Sequence, residues 1–191
     1  MRSLTVSLAA VVILAACQPK DPYKVQNPDP NHTHADFAIW VDGEQIDFTG
    51  NEYMSGVSYD DASHDEEHEY YHEHLHLHDN VGHVLHRHKP GLSVQEFLES
   101  LNVLDVFGQG HTWRMFINGE EEEFALDYIF KDLDKILLTT SAGSAEVLDQ
   151  LEKLTDDACL YSKRCPWRGG PPAENCIADP AIPCVAPLED Y

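Results

Sequence analysis

His72-Glu73-His74-Leu75-His76-Leu77-His78-Asp79-Asn80-Val81-Gly82-His83-Val84-Leu85-His86-Arg87-His88 sets histidine at every second position on either side of a short polar segment. Residues two apart in a strand share a face. His72, His74, His76 and His78 therefore point one way, and Leu75 and Leu77 the other. Asp79-Asn80-Val81-Gly82 has Asp first and Gly fourth, a type I turn signature. Such a turn followed by a left-handed glycine makes a common three-residue hairpin loop. It pairs His78 with Val84, His76 with His86 and His74 with His88, and sets Leu77 against Leu85. One face is then imidazole, and the other is a leucine face that can receive a helix. A slip of one residue would divide the histidines between the faces, so turn chemistry and leucine pattern predict the same register.

Same-face strand residues lie about 6.5 Å apart, close enough for two imidazoles to lean onto one cation at about 2.0–2.1 Å from each nitrogen. Cross-strand partners supply a third and fourth ligand. The sequence thus predicts a metal site on His76, His78, His86 and His88. His34 is next in order and His32 follows, with Asp36 or Asp79 orienting a ligand ring from behind. Nitrogen donors suit zinc first, and also Cu(II), Ni or Fe. Thioether handling of Cu(I) does not fit a chain whose only methionines beyond the first residue are Met54 and Met115. The competing account is a solvated His/Glu face that meets metal only incidentally. His64, His68, His83 and His111 fall outside the strand pairs; His64 and His68 would add weak capture.

Outward from this hairpin the pattern is regular. Phe37 to Val41, Asp42-Gly43, and Glu44 to Phe48 read as a hairpin with a two-residue turn. Val41 pairs with Glu44, Ile39 with Ile46 and Phe37 with Phe48. Its second face carries Asp36, Asp47, His34 and His32. Trp113 to Ile117, Asn118-Gly119 and Glu120 to Phe124 repeat that arrangement. Between the hairpins, Ser93 and Glu96 form a capping box ahead of the apolar stripe Val94, Phe97, Leu98 and Leu101. Lys135 to Thr140 reads as a buried final strand. Ser144 caps a helix over 144–157 with stripe Val147, Leu148, Leu151 and Leu154. The expected fold is α+β, a small mixed sheet of β-hairpins with one packed helix. From His72 onward, the order hairpin, helix, hairpin, strand resembles a β-grasp, to which the 34–48 hairpin would be added.

The ends carry other information. Residues 1–16, with Arg2 and an apolar run, read as a signal peptide. Leu14-Ala15-Ala16-Cys17 resembles a bacterial lipobox, which implies lipid on Cys17 and attachment to a membrane. Residues 17–31 hold four prolines and read as a flexible tether. Residues 32–143 form the His-rich domain, and 60–72 an acidic loop. Residues 158–191 read as an irregular tail. Its Cys159, Cys165, Cys176 and Cys184 make an even set in an exported chain, which implies two disulfides with three possible pairings. No C-x-x-C occurs. A formal charge of -22 excludes nucleic acid as a partner, since a phosphate backbone demands clustered cations.

Four segments, HTHADFAIWVDGEQIDF (32–48), HLHDNVGHVLHRH (76–88), KDLDKILL (131–138) and CLYSKRCPWRGGPPAENC (159–176), together resemble a family of uncharacterised exported His-rich proteins of uncultivated bacteria and archaea. The resemblance implies a shared site on His32, His34, Asp36, His76, His78, Asp79, His86 and His88, with His72 and His74 particular to this chain. Some members are labelled disulfide isomerases, a label that a chain without C-x-x-C does not fit.

The function expected from the sequence is capture, buffering or handover of a divalent transition metal at the cell envelope, on its periplasmic or extracellular face. The protein partner is left open. The rivals are a metal-dependent enzyme using three histidines and an open water position, and thiol-disulfide exchange by the C-terminal cysteines.

Overall fold

The computed structural model describes residues 20–28, 32–54, 74–77, 79–108 and 110–170. The signal segment 1–16, Cys17, the acidic loop 60–72, His72, His78, Cys176 and Cys184 lie outside them.

The fold is α+β, as the patterning predicts. Its strands are β1 (Thr33–Val41), β2 (Glu44–Gln45), β3 (Leu75–His76), β4 (Val84–Arg87), β5 (Arg114–Ile117), β6 (Glu120–Glu122) and β7 (Lys135–Thr139), and its helices are α1 (Val94–Ser100), α2 (Ser144–Lys153) and α3 (Ala158–Tyr161). They form one mixed sheet in the order β3-β4-β1-β7-β5-β6, with β2 also on β1. The central pair β1–β7 is parallel, from Asp36 beside Lys135 to Trp40 beside Thr139. The strand parallel to the final one thus comes from the 34–48 hairpin, not from the histidine hairpin. The grasp-like body is β1-β2, α1, β5-β6 and β7, and the histidine hairpin β3-β4 is the added piece.

The Asx-Gly turns behave as their chemistry demands. Asp42 and Gly43 have φ of 52° and 84°, and Asn118 and Gly119 have 54° and 87°, the paired left-handed geometry of tight hairpins. Val41 lies opposite Glu44 as expected. The second strand is shorter than its pattern suggests. Ile46 N–H still donates to Ile39 C=O at 2.9 Å, but Phe37 N–H donates instead to His83 C=O at 3.0 Å. The edge of β1 is shared: β2 takes its C-terminal part, and β4 takes Thr33 to Asp36. Phe48 leaves the ladder yet keeps its ring 5.4 Å from Phe37.

The histidine hairpin keeps its register, with His76 opposite His86 and Leu75 opposite Arg87. Its turn differs from type I. Asp79 and Asn80, both at φ 56°, take the left-handed positions, a conformation these short polar residues tolerate. The Asn80 amide fixes the turn by donating to Thr49 C=O and Asn51 Oδ1, each at 2.9 Å. Gly82 is required for a different reason: a Cβ there would lie 2.6 Å from the Phe48 carbonyl carbon. Gly82→Ala is accordingly expected to cost about 1–2 kcal/mol by forcing backbone apart, read as a lower urea midpoint with unchanged slope.

Both faces of the sheet are covered. Ala35, Phe37 and Ile39 of β1, Leu75, Leu77 and Leu85 of the histidine hairpin, and Phe97 and Leu98 of α1 share one core. Each fully buried Leu or Phe there contributes roughly 1.5–3 kcal/mol of transfer free energy. The Ser93–Glu96 capping box is present at the start of α1. On the opposite face Ala38, Trp40, Phe116 and Leu137 meet Val147 of α2. α2 stops at Lys153, and its N-cap is Gly143, not Ser144. Of its expected stripe, Leu148 is 60% exposed, because only one narrow line of α2 touches the sheet.

Two segments read as irregular are ordered by polar contacts. Residues 22–24 form a 3-10 turn, and the Arg164 guanidinium donates to the carbonyls of Pro22, Val25 and Tyr23 at 3.1, 2.8 and 3.2 Å. Tyr23 Oη donates to Leu133 C=O at 3.1 Å. This part of the expected tether is therefore pinned to the domain. The start of the tail forms α3, closed by a Cys159–Cys165 disulfide.

Candidate metal centre

The even-numbered side of β1 and β4 carries the site. Strand alternation puts His34 and Asp36 on the face opposite Ala35 and Phe37, and ladder pairing sets His34 directly across from His86. His86 faces His76 on its other side. His32 just precedes β1, and His88 follows β4 with its N–H on His74 C=O at 2.9 Å. His34 and His86 are completely buried, and His76 and His88 nearly so at 6% and 2% exposure. This is not a solvated His/Glu face: α3 and the loop after it close over it.

The ligand atoms of His32, His34 and His86 all lie within 4.8 Å of one another. Two nitrogens on one tetrahedral zinc are about 3.4 Å apart, so small side-chain rotations bring the three onto one ion. The strand-borne histidine cluster could therefore hold a metal ion, as the sequence predicts. All three are among the predicted ligands: His34 from the first strand, His32 just before it and His86 from the hairpin. His76 and His88 stand beside the trio, with ring centroids 4.8 Å apart. His83 lies elsewhere, paired with Asp157 at 3.1 Å.

Asp36 does not face an imidazole. Its carboxylate accepts from Thr155 Oγ1 at 2.5 Å, Asp157 N–H at 2.9 Å and Ala158 N–H at 3.1 Å, anchoring the start of α3. Burial pushes its carboxyl above the usual range, an effect those hydrogen bonds partly offset. Asp79 is exposed in the hairpin turn. Among the described residues, Asp132 places a carboxylate behind the His34 ring. Ser162 Oγ donates to Asp132 Oδ1 at 2.5 Å and lies 2.7 Å from His34 Nδ1. A hydroxyl has one proton. With it committed to Asp132, Ser162 accepts from His34 Nδ1–H, which leaves the Nε2 lone pair of His34 as the ligating atom. Asp132 is held in turn by Arg164 at 2.9 Å, Asn27 Nδ2 at 3.2 Å and the His34 N–H at 3.2 Å.

Tyr161 completes the cover, with its ring 5.5 Å from that of His34 and 4.9 Å, edge-on, from that of His86. Sequence spacing could not find these neighbours, since Ser162 stands 128 residues from His34. The only hint was that Cys159 and Cys165 bracket them.

Ser162→Ala tests the orienting role. It removes one hydrogen bond, worth about 1 kcal/mol of stability, while zinc affinity is expected to fall roughly tenfold through loss of the fixed tautomer. Equal zinc dissociation constants for variant and parent would refute it.

Searches against protein-family models, curated proteins and solved structures find no match to this chain.

Proposed function

We propose that this protein is an exported, lipid-anchored binder of a divalent transition metal, acting in capture, buffering or handover at the cell envelope. The observation that carries this reading is the trio His32, His34 and His86, two buried and one partly buried, with ligand atoms within 4.8 Å. The neutral nitrogen donor set favours zinc, with Cu(II), Ni and Fe as alternatives. The lipobox-like Leu14-Ala15-Ala16-Cys17 supports membrane attachment, and the charge of -22 supports attraction of cations. The resemblance to the exported His-rich family supports the same address.

A metalloenzyme is the second reading. It is favoured by the size of the trio, since three histidines leave a tetrahedral ion a fourth position for water. Thiol exchange by Cys159 and Cys165 is disfavoured, because both are buried, at 6% and 2% exposure, and catalytic cysteines are accessible.

The test is metal content by mass spectrometry on the full chain, purified without an affinity tag and dialysed, beside His34→Ala/His86→Ala. Stoichiometric metal in the parent and none in the variant is expected. Loosely held metal that both proteins lose on dialysis would refute the reading.

A further inference from the structure

The imidazoles outnumber what one ion can use. Five rings form a closed circuit. His34 to His32 is 4.6 Å between centroids, His32 to His88 is 4.1 Å, His88 to His76 is 4.8 Å, His76 to His86 is 5.9 Å, and His86 back to His34 is 4.6 Å. Two imidazoles bound to one tetrahedral ion have centroids about 5 Å apart, so each neighbouring pair stands near the spacing of shared ligation. Four ligands saturate a zinc ion. The 6.5 Å separation of His32 and His86 divides the circuit. On one side is the trio with His34, and on the other are His76 and His88, two buried rings inclined by 28°.

From this division we infer that the circuit holds two divalent transition-metal ions in adjoining subsites. The inner subsite is His34, His86 and His32, and the outer one is built on His76 and His88. His32 is the shared corner, next to His34 and to His88. It is also the one member of the five that is only partly buried, and so the side from which an ion reaches either subsite. This inference rests on the metal-binding reading and specifies its stoichiometry.

The test is titration of the untagged full chain with Zn(II), counting ions retained after dialysis. The parent should keep two equivalents. His76→Gln/His88→Gln should keep one, with the folded near-ultraviolet signal of the tryptophans intact. One equivalent in the parent would overturn the second subsite while leaving the metal-binding reading standing. Two equivalents in the double variant, or none, would overturn the division of the circuit. No retained metal in the parent would sink both readings. Should the double variant fail to fold, the parent loaded with two equivalents of Cu(II) decides. A magnetically coupled spectrum supports adjoining subsites, and an uncoupled signal integrating to both ions overturns them.

Discussion

Asp132→Ala should lower the stability of the metal-free protein by about 3 kcal/mol and weaken zinc binding by about 10–100-fold. Asp132 collects Ser162, Arg164, Asn27 and the His34 backbone at one carboxylate. Its removal leaves the Arg164 guanidinium, only 14% exposed, without a counter-charge. Breaking a buried pair costs about 3–5 kcal/mol, and the remaining solvent contact places this one at the low end. The effect on metal follows from proton placement. With no carboxylate to donate to, the Ser162 hydroxyl turns its proton toward His34 Nδ1. The ring then carries its own proton on Nε2, and that atom cannot bind an ion. Asp132→Asn, which keeps an acceptor, should recover most of the stability and part of the affinity. Urea unfolding of the metal-free protein and competitive zinc titration separate the two effects. An unchanged zinc constant in Asp132→Ala would break the chain of reasoning from Asp132 to His34.

Cys159→Ser/Cys165→Ser is expected to cost about 2–4 kcal/mol and to weaken metal binding as well. The disulfide closes a loop of sequence separation 6, and loops of that size are worth about 2 kcal/mol through the unfolded chain alone. This loop carries Tyr161 against two histidine rings, Ser162 on His34, and Arg164 on Asp132. Opening it frees all three at once. Thermal unfolding with and without zinc should show the variant losing part of the metal-induced increase as well as baseline stability. Loss of baseline stability alone would make the bridge a staple with no bearing on the site.

What the sequence disclosed was local. The Asp42-Gly43 and Asn118-Gly119 turns, the capping box at Ser93, and the alternation that sets Leu75 and Leu85 opposite the histidines are decided within a few residues of themselves. The register of His76 on His86 was legible although the turn type was not, because the leucine pattern allows only one pairing. The partners of β1 were not legible. Its apolar run fits the edge or the centre of a sheet equally well. Only the parallel pairing with β7 and the docking of β4 on its free edge bring His32 and His34 beside His86. The exchange of Asp36 for Asp132 has the same origin. Proximity in sequence made Asp36 the natural partner of His34, but strand alternation gives it the same face two residues further along, beneath the start of α3. Asp132 arrives from the far end of the chain.

That distance bears on when the site comes into being. His34 bonds to Asp132 across 98 residues and to Ser162 across 128, and closing such long loops is what makes a fold slow. A chain emerging amino-terminus first presents His32 and His34 early and the serine that fixes the His34 proton late. Until that point the histidines are an open strand, able to meet ions but not to select or retain them. The arrangement around His34 is thus assembled only after residue 162 has been made. Under the proposed export, with folding after the chain has crossed a membrane, the ion kept would be the one supplied where folding finishes, not the one most abundant where synthesis began.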